Sequence, residues 1–351
     1  MNNIYLKILE RKSAAGALVL ATVTQSSGST PRKPGSSALF DIEGLIEGTV
    51  GGGISEGRVT QFAVKSCLTK ESGYLHFMLN KDIADSEEAI CGGEADVLVD
   101  AEPLKWIPVF ERIAESAGKR ESGILLTIIR REKEKLVNID RYWLTGNDTS
   151  SVPVYVREII KPLADEVFSS GINDDFRHVA LTREGEMLCF LEKIVPSYHL
   201  IIAGAGHIGK ALSELGNLLD FEVTVIDDRE EFANRENLPA ADHIITGNIG
   251  EAIKVIDKLP HTYFVIVTRG HSNDAEALRE CIGSDAGYIG MIGSKGKIEK
   301  MHNDFIKKNW ASEEQWGKIY APIGLEINSQ TVEEIAVSIA AQLVMVRNKN
   351  G

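Results

Sequence analysis

Glycines at positions 204, 206 and 209 follow an apolar run at 199–203 and lead into a helical pattern, the order in which a strand, a phosphate-binding turn and a helix are joined. In that arrangement Gly204 permits the tight turn. Gly206 removes a Cβ that would obstruct a diphosphate, and Gly209 lets the helix lie close to the strand. The free N–H groups of the helix start then face the anion. A second strand-like run, 222–227, ends in Asp227, about 20 residues downstream, where an acid that hydrogen-bonds ribose is expected. The ligand class this half points to is NAD(P) or another nucleotide; a glycine-rich turn without a ligand is the blander reading. His207 lies inside the loop, beside any diphosphate, with acid–base work and a structural hydrogen bond both open.

The first half carries three further stretches of chemical interest. The segment 25–37 is dense in hydroxyls and amides and holds Arg32, suited to a two-pronged phosphate contact, and Lys33 as a supporting point charge. A solvated Pro/Gly turn would use the same residues. In 48–57 the glycines, Gly52 and Gly53 among them, lead into a helix beginning near Ser55, a second place where unpaired N–H groups meet an anion. Glu56 there either complements the helix dipole or touches a ligand. Cys91, followed by two glycines and a strand, has the surroundings of a nucleophile, a sulfur carrier or a metal ligand, with simple packing as the alternative. In the second half, His271 and Asp274 follow a strand at 263–268, where parallel sheets bind ligands; Asp274 can equally cap the next helix. The glycine turn and lysines of 290–297 fit the same cleft, and 322–327 reads as a packing turn. The remaining histidines show no metal-ligand spacing.

The elements that must position these residues differ between the halves. Strands near 199–203, 222–227, 242–246, 263–268 and 286–290 alternate with helical patterns near 207–219, 249–258, 273–282, 295–308 and 331–347. That alternation predicts a Rossmann-like, doubly wound parallel sheet, its last helix opened by Thr331 and Glu334 as a capping box. Upstream, strand-like segments at 17–24, 74–79, 95–99, 124–129, 136–144 and 179–191 mix with helices near 55–70, 104–118 and 155–169, predicting a mixed α+β domain. At 351 residues the chain exceeds one comfortable core, and Pro196 marks the expected junction, giving domains 1–195 and 196–351.

A formal charge of −13 argues against sequence-independent nucleic-acid binding, which needs a cationic face. No apolar run approaches the roughly 18 residues that span a bilayer, and the first 12 residues read as a charged amphipathic helix, not a signal peptide. A cytoplasmic protein without membrane partners is expected. The four cysteines lack paired spacing, so neither a disulfide framework nor a structural zinc site is expected.

Taken together, Ser27-Gly-Ser-Thr-Pro-Arg-Lys-Pro-Gly35, the 51–57 glycines, Cys91-Gly-Gly93, the 204–209 loop, 288–294, 322–327 and Glu333-Glu-Ile-Ala-Val337 resemble the XdhC/CoxI family over nearly the whole chain. The resemblance implies an accessory protein that binds molybdenum cofactor (molybdopterin), protects it during sulfuration and hands it to xanthine dehydrogenase or a related molybdenum hydroxylase. A cysteine desulfurase is the other implied partner. The chain departs from many relatives in carrying Ile54 where they have a cysteine, which leaves Cys91 as the motif thiol for sulfur or molybdenum. Its 268–274 loop also departs from the Thr-His-Asp loop of relatives, which weakens any catalytic role carried to His271. The expected picture is a homodimer whose cofactor lies between the two domains, its anionic end on amide-rich loops with Arg32 and Lys33. An NAD(P)-dependent oxidoreductase or a nucleotide-sensing regulator are the rival readings, but both leave the glycine-rich loops of the first half without a task.

Overall fold

The computed structural model describes residues 3–13, 16–28, 32–78, 93–132, 135–146, 148–169, 176–182 and 186–349, and the chain divides into two units, Asn2–Pro196 and Ser197–Gly351.

In the first unit, β1 (Val19–Gly28), β2 (Ser37–Asp41), β3 (Gly44–Gly48), β4 (Gly73–Met78) and β5 (Gly93–Asp100) form an antiparallel sheet of order β3-β2-β1-β5-β4. A second antiparallel sheet, β7-β6-β9-β8, is built from β6 (Gly123–Glu132), β7 (Lys135–Leu144), β8 (Phe176–Ala180) and β9 (Met187–Ile194). Successive side chains of a strand point to opposite faces, and β1 is covered on both. Val19, Ala21 and Val23 pack against Val59, Ala63 and Cys67 of α2 (Gly53–Thr69). Leu18 and Leu20 instead join Tyr5 and Ile8 of α1 (Ile4–Glu10), Phe110 and Ile113 of α3 (Ile107–Gly118), and Trp143. That double burial is why the sequence there is a continuous apolar run and not an alternation. The fourth helix, α4 (Val154–Ser169), covers the second sheet through Val156, Ile160, Ala164 and Val167. Between the sheets lies a buried ion pair of Asp100 with Arg141.

The second unit has one parallel sheet of order β12-β11-β10-β13-β14, from β10 (His199–Ala203), β11 (Glu222–Asp227), β12 (His243–Thr246), β13 (Thr262–Ile266) and β14 (Tyr288–Met291). One face packs on α5 (His207–Leu218) and α10 (Val332–Lys349) through Leu200, Val223, Leu212, Ile339 and Leu343. The other packs on α6 (Ile249–Lys254), α7 (His271–Cys281) and α8 (Lys295–Lys307) through Ile201, Phe264, Ile253, Leu278 and Phe305. Helices on both faces of a parallel sheet make the doubly wound Rossmann arrangement that the alternation predicts. The capping box at α10 is present: the Glu334 N–H donates to Thr331 Oγ1 at 3.2 Å, and the Thr331 N–H donates to the Glu334 carboxylate at 3.1 Å. At its far end Arg347 donates to the carbonyl of Leu219 at 2.8 Å, tying α10 to the end of α5. The 322–327 turn is a packing turn: Gln342 bonds both the N–H and the carbonyl of Gly324, and Ser338 donates to the Leu325 carbonyl at 2.6 Å. No described helix is long and apolar enough to cross a membrane.

Two local expectations are corrected, and two elements had not been expected. The hairpin β2–β3 has no counterpart in the sequence reading, since β3 has no fully buried position and so shows no apolar run. Residues 25–28, expected in a loop, extend β1, because β5 continues the ladder past a bulge at Val23/Gln25. The single strand expected at 179–191 is the hairpin β8–β9. A one-turn helix, α9 (Glu313–Trp316), is closed by its own capping box at Ser312 and Gln315.

Candidate functional site

The carboxyl ends of five parallel strands lie on one edge of the second unit, and the switch in strand order falls between β10 and β13. The glycine turn occupies that point. Gly204 has φ +117°, and a Cβ there would lie 2.6 Å from the carbonyl oxygen of Val267; at Gly209 it would lie 1.8 Å from the Gly204 carbonyl oxygen. Both positions therefore need glycine for packing. Gly206 differs, because nothing lies within 4 Å of its Cβ position and its backbone is extended, at φ −69° and ψ −172°. As N-cap of α5 it brings no side chain to the first N–H groups, which are left to an outside acceptor. His207 is the exposed first residue of that helix.

Asp227, at the end of β11, is buried and fully engaged by its own chain. Its Oδ2 accepts from the Ala205 N–H at 2.7 Å, and the Arg229 guanidinium donates to both carboxylate oxygens at 2.8 Å. Burial pushes this carboxyl up, but the Arg229 guanidinium and the N–H groups of Ala205 and Arg229 outweigh it and hold the group below its ordinary range. The acid thus anchors the glycine turn. Arg229 also lies 4.1 Å from the ring centre of Phe232, which fixes its orientation.

Thr268, Asp274 and Lys297 form a second cluster. Asp274 is fully buried, accepting from Thr268 Oγ1 at 2.6 Å on one oxygen and from Lys297 Nζ on the other. It does not cap α7, whose N-cap is Gly270. The pair joins the end of β13 to α8, bringing together the 268–274 and 290–297 motifs. His271 turns elsewhere: its Nε2 lies 3.5 Å from Asp304 of α8, lining a groove that also holds Arg279, Lys308 and Trp310.

In the first unit, Arg32 and Lys33 are exposed beside a turn closed by the Gly35 N–H donating to the Val23 carbonyl at 2.8 Å. Gly52 is the N-cap of α2 and Gly53 has φ +63°; open space surrounds the Cβ position of each. Thr49 Oγ1 lies 2.7 Å from a Glu56 carboxylate oxygen and 2.6 Å from the Gly51 carbonyl, its one proton shared between these two acceptors, so this carboxylate braces the turn from within the first turn of α2. Cys91 lies outside the described residues. Among the described residues, no group of three or more His, Cys, Asp or Glu is placed to hold a metal ion. The described thiols are buried: burial pushes Cys189 and Cys281 up to about 12 and raises Cys67.

One cluster escaped the sequence reading. The Tyr74 hydroxyl lies 2.9 Å from Thr24 Oγ1 and 3.2 Å from His178 Nε2, while His76 Nδ1 meets Asp96 Oδ1 at 2.7 Å. These residues are far apart in sequence and are collected by pairing of β4 with β5 and by the facing second sheet. Burial lowers the His178 pKa, so its imidazole is neutral at ordinary pH.

Residues 200–343 match the XdhC Rossmann domain, and residues 12–78 match the XdhC and CoxI family. The chain is 25% identical over 334 residues to a probable xanthine dehydrogenase subunit of Bacillus subtilis, covering 94% of this chain and 93% of that protein. It is 20% identical over 347 residues to the protein YqeB of Escherichia coli, spanning 99% of this chain but only 46% of that longer protein. A crystal structure from Bacillus halodurans, described as a xanthine dehydrogenase, shares the fold with a TM-score of 0.77 at 22% identity, over 99% of this chain and 96% of that one.

Proposed function

The chain belongs to the XdhC/CoxI family, and from that premise we propose that it is a maturation factor that binds molybdenum cofactor, supports its sulfuration and passes it to a xanthine dehydrogenase or a related molybdenum hydroxylase. The observation that carries this reading is the open space over Gly206 at the uncapped start of α5. Molybdopterin ends in a phosphate, or a diphosphate when extended by a nucleotide. Such an anion fits a concave, amide-lined turn at the positive end of a helix. The metal end calls for a soft donor, and a thiol serves only as thiolate. Cys67, Cys189 and Cys281 are buried with raised pKa values, so this role falls to Cys91. Arg32 and Lys33, both exposed, stand outside the hydrophobic cores and suit an anionic surface of the cargo or its client. A cysteine desulfurase is the sulfur source this role requires, and a homodimer is the proposed assembly.

A nicotinamide-dependent oxidoreductase is supported less. Ribose recognition needs a carboxylate with accepting capacity to spare, whereas Asp227 already receives the Ala205 N–H and the Arg229 fork. His271 is drawn to Asp304.

Purification from hosts with and without molybdopterin biosynthesis tests the proposal. Pterin fluorescence and molybdenum are expected only from the competent host, with both reduced at least tenfold in Gly206→Glu and molybdenum alone reduced in Cys91→Ala. Protein free of pterin from the competent host would contradict it.

A further inference from the structure

We infer that Arg269 is a second contact for the phosphoryl end of the ligand, reaching it from the segment after β13 that abuts the glycine turn; this rests on the anionic tail proposed over Gly206. The ends of β10 and β13 adjoin at the switch in strand order. The Val267 N–H donates to the Ala203 carbonyl at 2.9 Å, and a Cβ at Gly204 would lie 3.1 Å from Thr268 Cα. The segment after β13 is thus built against the glycine turn, and Arg269 is its next residue. From these two strands the chain departs to opposite faces of the sheet, to α5 and to α7, and that divergence is what opens a crevice.

The residues on either side of Arg269 are committed to structure. Thr268 is buried and donates to Asp274 at 2.6 Å, and Asp274 accepts from Lys297 on its other oxygen. Gly270 has φ +99° and is the N-cap of α7. Arg269 itself is exposed, and among the described residues its guanidinium has no hydrogen-bond or ion-pair partner. Its backbone is therefore held while its five N–H donors are unspent. The acids of α7 do not claim it: Asp274 is engaged as above, Glu276 lies against Gly250 of α6, and Glu280 is 3.3 Å from Arg279. The exposed Asp228, Glu230 and Glu231 follow β11, which lies on the other side of β10. A guanidinium offers a phosphoryl group two parallel N–H bonds, a fit that an ammonium lacks. The N–H groups at the start of α5 and the fork of Arg269 can then bond different oxygens of one tail.

Inorganic pyrophosphate titrated calorimetrically into the full chain at low ionic strength tests the assignment, alongside Gly206→Glu, Arg269→Gln and Arg269→Lys. Arg269→Gln should weaken binding at least tenfold and make the affinity less dependent on salt, while leaving the denaturation midpoint of the parent. Arg269→Lys, which keeps the charge but not the fork, should fall between. Binding weakened in Gly206→Glu but unchanged in Arg269→Gln would overturn the role of Arg269 and leave the glycine turn standing. Binding weakened in Arg269→Gln but unchanged in Gly206→Glu, or absent from the parent, would overturn both.

Discussion

Two glycine-rich turns open helices in this protein, and they differ in how crowded their glycines are. At 204–209 the chain is crowded: Cβ atoms at Gly204 and Gly209 would run into backbone, and Gly206 alone stands over open space. At 52–53 both Cβ positions are open, and what glycine supplies is the positive φ of Gly53. The second turn is closed from inside by Thr49 and Glu56, whereas the first is pinned by Asp227 beneath and left open above. Glycine abundance alone therefore does not identify an anion cradle. A crowded turn with one uncrowded glycine at a helix start is the geometry that the proposed cradle requires.

The largest effect should separate the turns directly. Gly209→Ala places a methyl 1.8 Å from a carbonyl oxygen and should cost about 3 kcal/mol or more in chemical denaturation, through the forced shift of α5 from its strand. Gly52→Ala, in extended backbone with open space, should cost less than about 1 kcal/mol. Equal losses would erase the contrast.

Next in size is the buried ion pair between the sheets of the first unit. Asp100→Ala leaves the Arg141 charge buried and uncompensated and should cost about 3–5 kcal/mol, whereas replacing both residues by apolar ones should recover much of it. A double variant as unstable as the single one would contradict that account.

The anchor beneath the crowded turn gives a pH-dependent test. The native pKa of Asp227 is lowered, so its stabilising effect is complete above the ordinary carboxylate value of about 4 and is lost as pH falls through the native value. Asp227→Asn should cost about 1.5–3 kcal/mol at pH 7, and the gap to the parent should close on acidification below about pH 4. A gap that persists or widens in acid would show that the carboxylate charge is not what pins the turn. The smallest effect concerns the brace of the open turn: Glu56→Ala should cost about 0.5–1.5 kcal/mol, since it removes one hydrogen bond from a half-exposed site.

What the sequence revealed follows the range of the interactions involved. The glycine turn, the following acid and the capping box of α10 depend on residues a few positions apart or on one strand–helix–strand unit, so their spacing is readable. The alternation of strands and helices after Pro196 is readable for the same reason. The engagement of Asp227 by Arg229, only two residues on, is legible in principle, but an acid at that position reads as a ribose ligand because the motif assigns it one role. The Tyr74 cluster is not legible: its hydroxyl partners stand 50 and 104 residues away and meet only through sheet pairing. The roles of Thr268, Asp274 and Lys297 are half legible, since their loops stand out but not the partly buried ion pair that joins them.

The central claim is that an anionic cofactor tail sits over Gly206. Equilibrium binding of molybdenum cofactor to the parent protein and to Gly206→Glu, with the fold of each checked by its denaturation midpoint, tests it most directly. The account predicts equal stability and at least tenfold weaker binding in the variant, because the glutamate fills open space and sets a negative charge where the tail would lie. Equal affinity in two equally folded proteins would contradict it.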